Sequence, residues 1–238
     1  MSLPRRAALL IVALLLLAAP GLAACTSGGD GDTKQTAPQL LATAKKTLDA
    51  AKSLHFQLSS TGAPAGGTSL TGGEGDVVRP SSFSGTLKVN VSGIAANLKV
   101  ISAGGKVYAQ LPLTSSYQVI DPATFGFGDP GALLDPQTGI SQLLTAATNA
   151  ELGAKKRVNG EVVQQVTADL PGDLVQKLLT SKDPAKPVKA RMSIATGSGQ
   201  LRQVVLDGPF FEADRTGSYT LQLSKFGEDV SITAPAVG

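Results

Sequence analysis

The apolar positions of this chain fall into three successive periods, each predicting a different element. Near the N terminus they are continuous: Ala7 through Ala19 are thirteen apolar residues in a row behind Arg5 and Arg6. A membrane-crossing helix needs about 20 such residues, so the run reads as the apolar stretch of an export signal with its positive n-region. Between Pro38 and Ser53 the apolar residues recur every three or four positions. Leu41, Ala44, Leu48 and Ala51 form a stripe, with Lys45, Lys46, Asp49 and Lys52 mostly opposite, which predicts an amphipathic helix packed on a sheet. From Leu54 onward the period is two. Leu54, Phe56 and Leu58 alternate with His55, Gln57 and Ser59. Phe83, Leu87, Val89 and Val91 oppose Ser84, Thr86, Lys88, Asn90 and Ser92, and Ile94, Ala96, Leu98 and Val100 oppose Asn97 and Lys99. The alternation returns at Val107 to Leu111, less cleanly at Val162 to Leu170, and again at Val188 to Ile194 and Tyr219 to Leu223. Strands with one dry and one wet face form antiparallel sheet.

The connections agree with hairpins. Val91-Ser92-Gly93-Ile94, Ser102 to Lys106, Val158-Asn159-Gly160-Glu161 and Thr196 to Gln200 place Gly or Asn-Gly between paired runs, where the turn needs positive φ. About ten to twelve strands are expected by the same patterning. The middle third breaks this rhythm. Asp121-Pro122, Asp129-Pro130 and Asp135-Pro136 each suit a helix start, with Asp as N-cap and Pro at the first helical position. After the last of them Ile140, Leu143, Leu144 and Ala147 form a helical stripe, and Asp173 to Leu179 predicts a shorter helix. These helices need an apolar surface, and the dry face of the sheet supplies it. The fold class is mainly β (α+β): a single curved antiparallel sheet forming a half-open barrel, with helices on its concave face. A sheet of ten or more strands that curls encloses more space than its own side chains fill, and either the helices or bound acyl chains fill it.

Composition narrows the chemistry. The single cysteine, Cys25, follows Leu22-Ala23-Ala24 at the end of the signal and precedes a Gly- and Asp-rich stretch suited to a flexible tether. Losing residues 1–24 removes Arg5 and Arg6 and lowers the formal charge from +3 to +1. A nucleic-acid partner, which needs a basic footprint, is therefore not expected. With Cys25 apart, the folded part has no thiol for a disulfide or a metal. His55 is the only histidine and lies on the polar side of its strand; no Gly-x-Ser-x-Gly, His-Glu-x-x-His or Ser-x-x-Lys occurs. Asp169 and Asp173 could cooperate only if the fold brought them together. The Gly29-Asp30-Gly31-Asp32 run lacks the spaced ligands of a calcium loop. Neither an enzyme nor a cofactor is expected.

Leu22 to Cys25 resembles the lipobox of bacterial lipoproteins, in which the signal is cut before a cysteine whose sulfur carries a diacylglycerol. Further on, Tyr117 to Pro122, Asp129 to Leu144, Val158 to Glu161 and Thr220 to Phe226, in that order, resemble the LppX/LprA/LprF/LprG lipoprotein family of mycobacteria and related actinobacteria. That family is similar in fold to the Lol lipoprotein carriers. The resemblance implies residues 1–24 as signal peptide, 25–36 as acylated cysteine and tether, and 37–238 as one lipid-binding half-barrel domain. It implies a monomer anchored on the extracytoplasmic face of the cell membrane through Cys25, carrying a multi-acylated envelope lipid or lipoglycan. The expected cavity lining is Phe56, Leu87, Val89, Val91, Leu98, Val100, Leu221 and Leu223 from the sheet, with Ile140, Leu143 and Leu144 from the covering helix. The alternative is an accessory lipoprotein with a filled core that assists a lipid or efflux transporter through its surface.

Overall fold

The computed structural model describes residues 35–238, so the signal sequence, Cys25 and most of the tether lie outside the described residues. Helix α1, Ala37–Ala50, begins at a capping box: the Gln39 N–H donates to Thr36 Oγ1 at 3.4 Å, and the Thr36 N–H donates to Gln39 Oε1 at 2.8 Å. Its buried stripe is Leu40, Leu41, Ala44 and Leu48, and it packs against the helix α2, Ile140–Ala146. The C terminus of α1 has no basic residue of its own. Arg79, beyond the adjacent strand, reaches it instead, with Nε donating to Ala51 O at 2.8 Å and Nη2 to Leu48 O at 3.0 Å. A guanidinium there donates to the last carbonyls and meets the negative end of the helix dipole.

Eleven strands form one sheet: β1 Ser53–Thr61, β2 Thr68–Val78, β3 Ser82–Val91, β4 Ile94–Ala103, β5 Lys106–Gln110, β6 Gln118–Ile120, β7 Thr148–Val158, β8 Glu161–Leu170, β9 Val188–Ala195, β10 Leu201–Gly208 and β11 Gly217–Ser224. Their spatial order is β6-β5-β4-β3-β2-β1-β11-β10-β9-β8-β7, antiparallel throughout. Two meanders thus join at β1 and β11 in the centre, and the sheet stays open at β6 and β7. The chain between β6 and β7 must pass from one edge to the other. That is why residues 121–147 abandon the strand pattern and supply the cover. The predicted hairpins form, with Ser92 and Gly93 at φ 52° and 88°, and Asn159 and Gly160 at 48° and 84°.

The cover is less helical than its sequence implies. Asp121 and Asp129 cap 3-10 turns at Pro122–Phe125 and Pro130–Leu134, each carboxylate accepting the N–H two residues on, at 3.0 and 2.8 Å. Asp135 accepts from the Gln137 and Thr138 N–H groups, both at 2.8 Å, and α2 starts only after Gly139. The predicted Asp173 helix is α3, Gly172–Val175, followed by tight turns through Leu179. Four strands, β2, β6, β7 and β10, lie outside the alternating runs read from the sequence. β7 has only Val158 buried, so neither face carries an apolar row, and β2 is interrupted by glycines. The glycines have a reason: a Cβ at Gly75 would run into the Phe83 ring, and one at Gly85 into the Glu74 carbonyl. Phe83 lies across that gap and stacks on Phe56 at 5.4 Å between centroids. Among the described residues no helix is long and apolar enough to cross a membrane.

Candidate functional site

Beneath the central strands the core is incomplete. Phe56 and Leu58 of β1, Leu70 of β2, Leu87 of β3, Val204 and Leu206 of β10, and Tyr219 and Leu221 of β11 form one wall of an apolar cavity. The other wall is cover: Phe127 and Leu133 from the turns, Ile140 and Leu143 from α2, and Val175, Leu178 and Leu179 from α3 and its sequel. The cavity has a volume of about 80 Å³, its walls are almost wholly apolar, and it opens along part of its rim. Its inner part is fully buried, whereas Leu133, Leu178, Leu179 and Leu221 are half-buried and form a rim.

The two cover segments meet over the cavity. Phe127 and Leu179 form an isolated antiparallel bridge, with the Gly128 N–H donating to Leu178 O at 3.2 Å. A Cβ at Gly128 would collide with the Lys177 carbonyl, so glycine permits the close approach. On the sheet side, the Tyr219 hydroxyl donates to Leu70 O at 2.6 Å. Burial pushes the pKa of this phenol up, keeping it a neutral donor.

Of the residues expected to line a cavity, Phe56, Leu87, Ile140, Leu143 and Leu221 lie on this one. Val89, Leu98, Val100, Leu144 and Leu223 are buried in the continuous core but do not reach it. Leu144 faces α1 instead, beside Leu41. Val91 is a correction. It shares a face with Val89 but is the last residue of β3, and it is 36% exposed. Leu70, Phe127, Val175, Leu178, Leu179, Val204, Leu206 and Tyr219 were not anticipated as lining. The apolar cluster at 174–179 was visible in the sequence, whereas Leu70 was concealed in the Gly-rich strand. Cys25 lies outside the described residues.

Of the titratable groups among the described residues, only Tyr219 and Asp129, whose carboxylate accepts from the Gly131 N–H, lie on the cavity; the candidates named from the sequence lie elsewhere. His55 Nδ1 is 2.7 Å from Asp76 Oδ1 across the β1–β2 pair. Asp169 is tied to Lys189 at 2.6 Å and to Asn149 at 2.9 Å, and the Lys189 hydrogen bond, followed by that of Asn149, holds its pKa below the usual carboxylate range. Asp173 is exposed on α3. Among the described residues no group of three or more His, Cys, Asp or Glu gathers.

The model of the LppX_LprAFG lipoprotein family matches residues 36–232. The lipoarabinomannan carrier protein LprG of Mycobacterium tuberculosis (strain H37Rv) is 28% identical over 243 residues, covering 100% of both chains. The putative lipoprotein LprA of Mycobacterium tuberculosis (strain CDC 1551) is 26% identical over 249 residues, covering 96% of each. Among solved structures, LprF from Mycobacterium bovis superposes with a TM-score of 0.66 at 17% identity, over 84% of this chain and 97% of its own. LppX of Mycobacterium tuberculosis gives 0.60 at 24% identity, over 82% and 99%.

Proposed function

Because the chain belongs to the LppX_LprAFG lipoprotein family, we propose that it is a membrane-anchored carrier that takes the acyl chains of an envelope lipid or lipoglycan between its sheet and its cover. The observation that carries this reading is the apolar cavity under the central strands, roofed by cover segments that meet at a two-residue bridge. Exposing an acyl chain to water costs ~0.8 kcal/mol per CH₂, on the order of 10 kcal/mol for a whole chain. A carrier must therefore offer an equally dry interior. In this reading the cover lifts on loading and its half-buried leucines turn onto the ligand.

Anchoring belongs to the same reading. Residues 1–24 act as a signal peptide, and Cys25 carries the diacylglycerol on the extracytoplasmic face of the cell membrane. The eleven residues from Thr26 to Thr36 reach roughly 35 Å when extended, so the domain can lift from the bilayer while its anchor stays in it. Cys25→Ala should abolish labelling by a fatty-acid analogue; unchanged labelling would sink this part of the reading. The carrier itself is tested by native mass spectrometry of the chain from residue 26 onward, with transfer of labelled lipid between vesicles as the activity. Bound lipid and transfer are expected. A folded protein with neither would leave the accessory role at a transporter.

A further inference from the structure

We infer that the turn tips at one end of the sheet, led by Ile94 and Leu113, form an edge that dips into the surface of an uncharged lipid bilayer. This contact is separate from the cargo space; it deepens the membrane-anchored part of the reading above, and rests on it. Strand register brings the turns together. β1 to β5 are joined in order as antiparallel neighbours, so the β1–β2 loop, the β3–β4 turn and the β5–β6 loop all leave the same end of the sheet. The Ser92 N–H donates to Gly67 O at 2.9 Å and the Asn90 side-chain amide to Ala65 O at 3.0 Å, tying the first two to each other. On its outer side β4 pairs with β5 only from Lys99 to Ala103, so the β3–β4 hairpin stands out beyond the neighbouring strand.

Large apolar side chains stand where this edge meets solvent. Val89 is buried, but Val91 and its partner Ile94 carry the same face outward past the cover, and Ile94 is 71% exposed. Leu113 is fully exposed and held at φ 67°, a conformation that costs a leucine and suits glycine or asparagine better. Its loop is nevertheless fastened, with the Thr114 N–H donating to Leu111 O at 3.2 Å and the Gln110 side-chain amide to Thr114 O at 2.9 Å. Backbone strain of this kind gathers at functional positions. Charge is missing from the same edge: residues 58–73, 89–98 and 107–120 contain no Asp, Glu, Lys or Arg. At the same end of the other half of the sheet, the loops at 171–187 and 209–216 carry eight charged side chains, among them Lys182, Asp183 and Arg215. Ions are costly to bring to the acyl boundary of a bilayer, whereas apolar tips gain by reaching it. Separate tips on different turns fit a deformable lipid surface rather than a protein partner, which needs one continuous complementary patch. A charge-free edge also leaves anionic headgroups nothing to attract. The eleven-residue tether from Thr26 to Thr36 leaves the domain free to tilt this edge onto the bilayer.

The test uses phosphatidylcholine vesicles and the chain from residue 26 onward, which contains every described residue and no cysteine, so single cysteines can carry an environment-sensitive fluorophore. Labels at Ile94→Cys and Leu113→Cys should be quenched by spin-labelled phosphatidylcholine, and a label at Arg215→Cys, on the charged loops, should not. Without labels, Ile94→Asp together with Leu113→Asp should lower the vesicle-bound fraction about tenfold, leave the unfolding midpoint unchanged, and high salt should not weaken binding of the unmodified protein. Quenching that is equal at all three positions or absent from all three, or an unchanged bound fraction in the double variant, would overturn the contact. Binding abolished by high salt would make the attraction electrostatic and overturn it too. Self-association without vesicles, lost in the double variant, would give the edge to a second copy of the chain and likewise overturn the bilayer. The expected quenching in a protein that carries no lipid would support this contact while defeating the carrier, and lipid transfer without quenching would do the reverse.

Discussion

The sheet wall and the cover wall of the apolar cavity bury similar side chains but are fastened differently. Each central strand is locked on both sides by a ladder: β1 pairs with β11 from His55 to Thr61 and with β2 from Ser53 to Ser59. The cover is fastened by separate points, namely carboxylates holding their own turns and one bond from Gly128 to Leu178. Ladders open cooperatively, whereas isolated bonds open one at a time at a cost of about 1 kcal/mol each. If the cavity expands around an acyl chain, the cover moves and the sheet stays.

The largest effect is expected where the sheet wall is locked. Phe83 is fully buried, stacks on Phe56 and lies over the Gly75–Gly85 gap, so Phe83→Ala should cost ~3–5 kcal/mol in urea unfolding. A loss below about 1 kcal/mol would show that this wall yields as readily as the cover. A sharper contrast comes from enlarging one side chain at two places. Leu98→Phe, in filled core, should overpack by ~1–3 kcal/mol. Leu143→Phe, on the cavity, should cost clearly less yet reduce lipid transfer. Equal destabilisation at both positions would mean the cavity is packed core.

This contrast also explains what the sequence could and could not disclose. Period two identified the face on which Phe56, Leu87 and Leu221 lie, because alternation is local. It could not say how far along a strand the cover reaches. Val89 and Val91 share a face, but one is buried and the other stands past the end of the cover. The Ser92-Gly93 and Asn159-Gly160 hairpins were legible because positive φ selects their residues. β7 was not, because an edge strand wet on both faces has no alternation, and β2 was not, because its glycines answer to both neighbouring strands, Gly75 to Phe83, Gly73 to Leu87 and Gly72 to the Leu58 carbonyl. The cover was only half legible. Its Asp-Pro pairs promised helix starts, but how long each turn continues depends on the sheet it crosses.

A more selective probe holds the cover in place. Phe127 and Leu179 face each other in the isolated bridge, and antiparallel partners have Cα separations of about 4.5–5.5 Å, within disulfide range. Phe127→Cys with Leu179→Cys, in the chain lacking its only native cysteine, should form a cross-link on oxidation. Vesicle-to-vesicle transfer should then fall about tenfold and recover with reductant, while the fold remains intact. Undiminished transfer by the oxidised protein would place the opening elsewhere.

The smallest effect is electrostatic. Asp135 is the carboxylate that positions α2. Burial raises its pKa, but this is outweighed by hydrogen bonds from the Gln137 and Thr138 N–H groups and the Thr138 hydroxyl, and by the charge of Arg79, so its pKa lies below the ordinary aspartate value of 3.8. Arg79 also caps α1, so this one guanidinium stabilises both the helix end and the cover turn. A carboxylate depressed in the folded state stabilises it above its unfolded pKa, and that contribution is lost as the pH falls through the lower folded value. Asp135→Asn keeps an acceptor oxygen but loses the charge, so it should be less stable than the unmodified protein at neutral pH by about 1 kcal/mol or less. The gap should close below about pH 3.8, as the native carboxyl is protonated. Urea unfolding of both proteins between neutrality and pH 3 measures this, and a gap that stays constant across that range would remove Asp135 from the fastenings of the cover.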